Sequence, residues 1–118
     1  TMPARSLAAR IANGVGQRCP GQAINETIGP VEVEGADQAY RLIFGCRSIK
    51  EADKPVQSEV TMLQVMKHNG DLVMVQYAVR DMPLPADAAI YADGKREEIS
   101  ALFDALALTD SLREAGSQ

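Results

Sequence analysis

The sequence predicts an α+β domain of two layers, in which an antiparallel sheet of about four strands carries an N-terminal and a C-terminal helix packed on one face. Apolar side chains recur at helical spacing near both ends, alternate with polar ones in the middle, and an Asn-Gly pair separates two β-rich runs. Strands grouped between two helices favour an antiparallel sheet. The length of 118 residues suits one domain over 1–118, with frayed ends at about 1–3 and 113–118.

Residues 5–19, RSLAARIANGVGQRC, form the predicted N-terminal helix. Its apolar stripe consists of Leu7, Ala8, Ile11, Ala12 and Val15. Ser6 is a candidate N-cap, because its hydroxyl is able to accept a hydrogen bond from a first-turn amide. Two glycines weaken the second half and favour an end near Gly16, and Pro20 with Gly21 stops the helix.

Two strands are predicted after this helix. The first, 22–34, is interpreted as an irregular or edge strand, because Gly29-Pro30 interrupts it and proline cannot donate to a ladder. The second, 38–49, places alternating side chains on a single face, namely Tyr40, Leu42, Phe44 and Cys46. Residues 50–58, KEADKPVQS, are predicted to form a polar loop.

Asn69-Gly70 is the clearest local signal, because a type I′ turn needs a positive φ at both central positions and these residue types tolerate it. The pair joins two β-rich runs, 58–68 and 71–80, into a hairpin. The pairs expected from this turn are His68 with Asp71, Met66 with Val73, Gln64 with Val75, Met62 with Tyr77, and Val60 with Val79.

The hairpin register assigns each side chain to one of two faces. The first, expected to be the core face, holds Val60, Met62, Gln64, Met66, Val73, Val75, Tyr77 and Val79. The second is polar at the strand ends and apolar near the turn. Its apolar side chains, Leu63, Val65, Leu72 and Met74, are predicted to form a partner or self-association interface. The alternative is that the 81–93 loop covers them or that they are tolerated at the surface.

Residues 81–93 hold two prolines and three aspartates and are predicted to form a loop, with a short edge strand at 88–91. Asp93 is the expected N-cap of a helix through 94–107. The apolar stripe of this helix consists of Ile99, Leu102, Phe103 and Leu106. Thr109 is expected to cap a short last turn.

Cys19 and Cys46 lie 27 positions apart, a spacing that matches neither a zinc site nor a CxxC redox pair. They form a disulfide, remain two buried thiols, or supply one catalytic thiol. The disulfide is favoured, because it would clip a helix end to a strand and contribute roughly 3 kcal/mol. It predicts a periplasmic or secreted protein, whereas reduced cysteines predict a cytoplasmic one. The residues contain no signal-peptide core, and Thr1 before Met2 leaves open whether a leader was removed.

No motif in the sequence names a reaction, a metal site or a cofactor. The only histidine, His68, is expected at an exposed hairpin tip, where a catalytic base lacks an orienting shell. The carboxylate pairs are interpreted as solvated charges; they are Glu32/Glu34, Asp81/Asp87 and Glu97/Glu98. Phosphate-binding glycine motifs are absent. A net charge of −4 argues against nucleic acid, and no apolar run is long enough to span a membrane.

The sequence therefore predicts a non-enzymatic protein-binding module, an exported bacterial accessory, inhibitor or immunity-type protein that acts through a sheet-face interface. The alternative is a small-ligand-binding domain with a pocket between sheet and helices, lined by Tyr40, Met62 and Tyr77. An enzyme that uses Cys19 or Cys46 is the least favoured hypothesis.

Overall fold

A computed structural model describes residues 2–51 and 54–108. Its elements, in chain order, are α1 (Ala4–Arg18), β1 (Ala23–Pro30), β2 (Gln38–Glu51), β3 (Lys54–His68), β4 (Asp71–Asp81) and α2 (Lys95–Asp104). The four strands form one antiparallel sheet in the order β1-β2-β3-β4, so neighbours in sequence are neighbours in the sheet. The predicted α+β class is confirmed, with one helix before the sheet, one after it, and both packed against it.

The two helices pack on opposite faces of the sheet, so the expectation of a two-layer fold with both helices on one face is wrong. Successive residues of a strand point to opposite faces. Leu42 and Phe44 of β2 pack with α1, whereas Ile43 between them packs with α2. The physical reason is that β2 and β3 are apolar on both faces, and each face needs its own cover. We call these faces the α1 side and the α2 side.

Three alanines, Ala4, Ala8 and Ala12, form the buried stripe of α1 at intervals of about one turn. Their small side chains let the helix approach the sheet closely. They pack on the α1-side core of the sheet, which consists of Leu42, Phe44, Leu63 and Val65. The longer apolar residues of the predicted stripe, Leu7, Ile11 and Val15, flank this seam and are partly buried.

The ends of α1 differ from the expected ones. The helix begins after Pro3, whose carbonyl accepts hydrogen bonds from the amides of Ser6 and Leu7, so Ser6 is not the N-cap. The helix continues past Gly16 to Arg18, because packing on the sheet outweighs the low helix propensity of glycine.

The β3–β4 hairpin has the predicted register along its whole length. Asn69 and Gly70 have positive φ values of 52° and 86°, as the two-residue turn requires. The predicted loop at 50–58 is wrong, because β2 runs to Glu51 and β3 begins at Lys54. Polar side chains do not prevent pairing, since ladder hydrogen bonds join main-chain groups, and two register shifts absorb the irregularity.

Strand β1 is an edge strand, as predicted, and its pairing with β2 shifts register between Thr27 and Gly29. Beyond the strand, the chain turns at 34–37 and the amide of Asp37 donates to the carbonyl of Lys67. The Glu34 carbonyl accepts from the amide of Leu108 at 2.7 Å, which ties the chain after α2 to this turn.

Helix α2 is shorter than the predicted 94–107, and Gly94, with φ 79°, occupies the N-cap position expected for Asp93. Ile99 and Phe103 are buried, whereas Leu102 of the predicted stripe is exposed. Ile99 and Phe103 pack on the α2-side core of the sheet, which includes Ile24, Ile43, Val60 and Met62. No strand forms at 88–91, and Thr109 lies outside the described residues.

Candidate partner-binding edge

The sheet face predicted to be a free interface is covered by α1. Leu63 and Val65 have no exposed surface, because they lie beneath the alanine stripe of this helix. Leu72 is partly buried against the same core, and Met74 remains 49% exposed. The predicted four-residue patch is therefore wrong for its two β3 members, while the two β4 members remain at least partly accessible.

The residues predicted to line one ligand pocket lie on two different faces. Tyr40 pairs with Val65 and belongs to the α1 side. Met62 pairs with Tyr77, and both belong to the α2 side. The sheet itself separates Tyr40 from the other two, so the three do not line one cavity.

Cys19 and Cys46 form the favoured disulfide, with their Cα atoms 5.7 Å apart. Cys19 follows directly after α1, and Cys46 lies in β2, so the bond clips the end of the helix to the sheet. The described part of the chain has no free cysteine. Neither thiol is available as a nucleophile while this bond is intact.

His68 lies opposite Asp71 at the base of the hairpin turn, as predicted. Its Nδ1 donates a hydrogen bond to the Gly35 carbonyl at 2.5 Å, and its Nε2 accepts one from the Asn69 side-chain amide at 3.2 Å. Because a carbonyl is only an acceptor, the proton of this bond lies on Nδ1. The ring thus ties the hairpin tip to the turn at 34–37.

Two negative observations concern the residues that the structure describes. No group of three or more potential ligands is arranged to hold a metal ion among them. Neither described helix combines the length and the apolar character needed to cross a membrane.

Strand β4 forms the second edge of the sheet and is covered less than the strands beside it. None of its eleven residues is fully buried. In the adjoining β3, by contrast, every residue over 60–66 is buried. Val73 and Met74, which point to opposite faces, are 39% and 49% exposed. The strand is therefore accessible from both faces as well as along its main chain.

Among the residues that the structure describes, none pairs with the outer side of the β4 main chain. In a two-residue hairpin the residues that flank the turn, His68 and Asp71, form a hydrogen-bonded pair, and such pairs then alternate along the ladder. The odd-numbered residues of β4 thus bond to β3. The residues whose amide and carbonyl point away from the sheet are Leu72, Met74, Gln76, Ala78 and Arg80.

Natural edge strands are usually guarded by charges, prolines or bulges, which prevent another strand from pairing with them. From Leu72 to Val79 the strand contains no charged residue and no proline. Its pairing with β3 continues from Asp71 to Asp81 without a register shift. Asp71 and Arg80 flank this stretch, and Arg80 Nε donates to Glu59 Oε2 at 2.7 Å. The Lys95 ammonium group of α2 lies against Tyr77, to whose hydroxyl it donates at 3.3 Å.

The loop after β4 returns to β2 before α2 begins. The amide of Leu84 donates to the Arg47 carbonyl at 2.8 Å, which brings the loop back to β2. The Arg47 guanidinium then donates to the carbonyls of Pro85 and Ala88 at 2.7 and 2.8 Å. The sequence does not predict this role of Arg47, because a loop held by hydrogen bonds to an arginine leaves no periodic pattern of residues.

Ion pairs hold α2 over the inner strands and β1. Arg96 donates to Glu26 of β1 at 2.9 Å. Arg41 of β2 is 4% exposed and donates to Gln64 at 2.8 Å and to Asp104 at 2.7 Å. Its buried charge is therefore paired, as a buried arginine requires. On its other side α2 contacts β4 through Lys95, whose Nζ donates to the Tyr77 hydroxyl at 3.3 Å and lies 5.3 Å from the centre of the Tyr77 ring.

Tyr91 is the one described residue with a buried side-chain oxygen that has no hydrogen-bond partner. Burial raises the pKa of its hydroxyl to about 12, while Arg96 lowers this pKa and Glu26 raises it. The residue packs in the α2-side core with Ile24 and Ile99. Tyr91 therefore forms part of the layer that packs over the β1 side of the sheet.

A cavity of about 510 Å³ lies on the α2 side, between the strand ends and the loop before α2. Apolar walls come from residues of the sheet and loop, including Val60, Val79, Leu84, Ile90 and Tyr91. Polar groups come from Ser58, Asp81, Asp93 and Lys95. None of the three predicted pocket residues lines it.

Comparison with models of protein families, with curated proteins and with solved structures finds no match to this chain. Its function is therefore inferred from its own geometry.

Proposed function

We propose that this chain is a non-enzymatic protein-binding module whose binding element is the open edge of β4. The observation that carries the proposal is an eleven-residue edge strand without a charge, a proline or a bulge between Leu72 and Val79. Such an edge accepts a further strand by main-chain hydrogen bonds, while side chains on its two faces supply specificity.

The candidates for chemistry in the sequence have structural partners instead. The imidazole of His68 fastens a turn, the two cysteines are bonded to each other, and the charge of Arg41 is paired inside the fold. An accessory, inhibitor or immunity-type role needs a recognition surface and no catalytic group. The proposed edge supplies such a surface, and it replaces the sheet-face patch that α1 covers.

We place the protein in an exported, oxidising compartment as part of this proposal. The support is the Cys19–Cys46 disulfide, because such bonds persist outside the reducing cytosol. A free-thiol titration of protein isolated from its native cells without reductant tests the location. No reactive thiol is expected, and two titratable thiols per unfolded chain would contradict it.

Site-specific photo-crosslinking tests the binding edge. A photo-reactive residue replaces Ala78, which is exposed on β4, and in a matched variant it replaces Thr27, which is exposed on β1. Illumination in the native cells should yield a crosslinked product, identified by mass spectrometry, from position 78 and not from position 27. No product from position 78, or equal yields from both positions, would contradict the proposal.

A small-ligand site is the second candidate, supported by the cavity of about 510 Å³ on the α2 side. Its volume lies within the range of about 300–1,000 Å³ that ligand sites occupy, and it combines apolar walls with a few polar groups. An apolar fluorescent probe, anilinonaphthalene sulfonate, tests it. Binding that Val79→Trp abolishes, at unchanged unfolding temperature, would support a ligand site, and binding unaffected by this variant would count against it.

A further inference from the structure

We propose that the occupant of the β4 edge is a second copy of this chain, paired antiparallel about a two-fold axis at Gln76. The inference rests on the proposed function and adds the identity of the partner. It would join two four-stranded sheets into one continuous sheet of eight strands.

The symmetry fixes which residues meet. A two-fold axis perpendicular to the sheet keeps the α1 side of one copy beside the α1 side of the other. With the axis at Gln76, the middle residue of β4, all eleven residues of the strand overlap. The outward-pointing residues then face each other as Gln76 with Gln76, Met74 with Ala78, and Leu72 with Arg80. Each of the five outward residues in each copy donates one hydrogen bond, so the pairing forms ten main-chain bonds.

Three of the pairs formed near this axis match in size or apolar character. On the α2 side, Val75 faces the Tyr77 of the second copy, and Val73 faces its Val79. On the α1 side, the large Met74 faces the small Ala78. Apolar and aromatic cross-strand pairs of this kind stabilise antiparallel sheets. A single strand thus supplies both halves of the contact, which is the requirement for a symmetric interface.

A specific dimer sets a minimum for the area that this contact has to bury. Such an interface buries at least about 1,200 Å² in total, or ~600 Å² per copy, which is about 55 Å² for each of eleven residues. Exposed main chain together with side chains such as Val73 and Met74, 39% and 49% exposed, can supply that area. The area lies at the lower end of specific interfaces, so a dissociation constant of about 1–100 µM is expected.

One pair opposes this register. Asp71 lies opposite the Asp81 of the second copy, and this like-charge contact occurs twice, once at each end of the paired strands. Both carboxylates are at exposed strand ends, where water and salt screen the repulsion. The contact weakens the dimer without preventing it, and it makes the register testable.

Sedimentation equilibrium of the wild-type chain and a cysteine crosslink test the proposal together. The native cysteines are bonded, so an introduced cysteine is the sole thiol among the described residues. Gln76→Cys places two thiols opposite each other on the axis, at a Cα separation that a disulfide spans. Asn25→Cys, on the exposed β1 edge, is the matched control.

At 200 µM the average mass of the wild type is expected to lie between about 1.5 times and twice 12.7 kDa, and to fall towards 12.7 kDa on dilution. Gln76→Cys should form a covalent dimer at least tenfold faster than Asn25→Cys. A wild type that remains monomeric at 200 µM, or equal crosslinking of the two variants, would overturn self-pairing. If position 78 then crosslinks a different protein in cells, the proposed function stands while this inference is wrong. If position 78 crosslinks nothing, both are wrong.

Discussion

The two edges of this sheet are built in opposite ways. Strand β1 has eight residues, a register shift after Thr27 and a proline at its end, Pro30. Its Glu26 is also clamped by Arg96 of α2 at 2.9 Å. Strand β4 has eleven residues, unbroken pairing and neither charge nor proline from Leu72 to Val79. The comparison teaches that this fold protects one edge and leaves the other open.

The path of the chain explains why β1 is covered more than β4. The loop after β4 is drawn to β2 by Arg47, so α2 arrives over the inner strands and β1. α1 likewise packs on β1, β2 and β3. Helix α1 therefore packs mainly away from β4, whereas α2 reaches β4 through Lys95, whose Nζ donates to the Tyr77 hydroxyl at 3.3 Å.

The largest expected effect comes from placing a charge on the open edge. Met74→Lys should weaken the β4 dimer at least 100-fold, because each copy would bury an ammonium group against Ala78 of the other. The same change on the protected edge, Asn25→Lys, should leave the association constant unchanged. Sedimentation equilibrium measures both, and thermal unfolding should show that each monomer keeps its stability. Equal association of the two variants would remove the distinction between the edges.

The stability of the protein at alkaline pH tests the burial of the Tyr91 hydroxyl over the β1 side of the sheet. The pKa of Tyr91 is about 12 in the folded protein and about 10 in the unfolded chain, so the unfolded state loses this proton first. The contribution of the Tyr91 hydroxyl to the free energy of unfolding is complete below pH 10. It decreases by about 2 kcal/mol as the pH rises from 10 to 12.

Tyr91→Phe isolates this contribution, because other groups also titrate in that range. Urea unfolding at pH 8 and pH 11 should show a smaller loss of stability in the variant than in the wild type. At pH 8 the variant should be at least as stable as the wild type, since it lacks the unpartnered buried hydroxyl. An identical pH dependence in both proteins would show that the hydroxyl is solvated.

The arginine that directs the loop should matter more than the arginine at the open edge. Arg47→Ala removes two hydrogen bonds to loop carbonyls and should lower the free energy of unfolding by about 1–2 kcal/mol. Arg80→Ala removes only an exposed ion pair with Glu59 and should cost less than 1 kcal/mol. Urea denaturation of both variants measures the difference, and equal losses would contradict the role assigned to Arg47.

The smallest expected effect tests the register in which the β4 strands of two copies pair. Asp81→Asn removes the two like-charge contacts between Asp71 and Asp81 and should tighten the dimer roughly threefold. Asp87→Asn in the exposed loop changes the net charge equally and should not alter association. Sedimentation of both variants at low salt makes the comparison, and equal tightening would show a general charge effect instead of this register.

The sequence was sufficient to predict features that depend on local chemistry. The Asn69-Gly70 turn imposed the β3–β4 register, and Gly29-Pro30 marked an edge strand. The disulfide followed from the positions of Cys19 and Cys46 after a helix and within a strand. Each of these signals acts over a few residues or through a covalent bond.

The faces of the sheet could not be assigned so simply. The relative phase of β2 and β3 depends on pairing through residues that look like a polar loop, and so Tyr40 was grouped with Met62 instead of Val65. From the sequence, apolar Leu63 and Val65 resemble an interface, because the alanines of α1 that cover them give a weak hydrophobic signal. The proposed site, β4, adjoins the predicted patch but is defined by main-chain exposure, which no residue pattern reports.

Amide hydrogen exchange at the two edges tests the central claim most directly. The outward-pointing amides of Met74, Gln76 and Ala78 should become protected as the protein concentration rises from about 0.5 to about 200 µM, a range that spans the expected dissociation constant. The amides of Asn25 and Thr27, which point outward from β1, should exchange at the same rate throughout. Rates at Met74, Gln76 and Ala78 that do not change with concentration would contradict a β4 edge that pairs with a second copy.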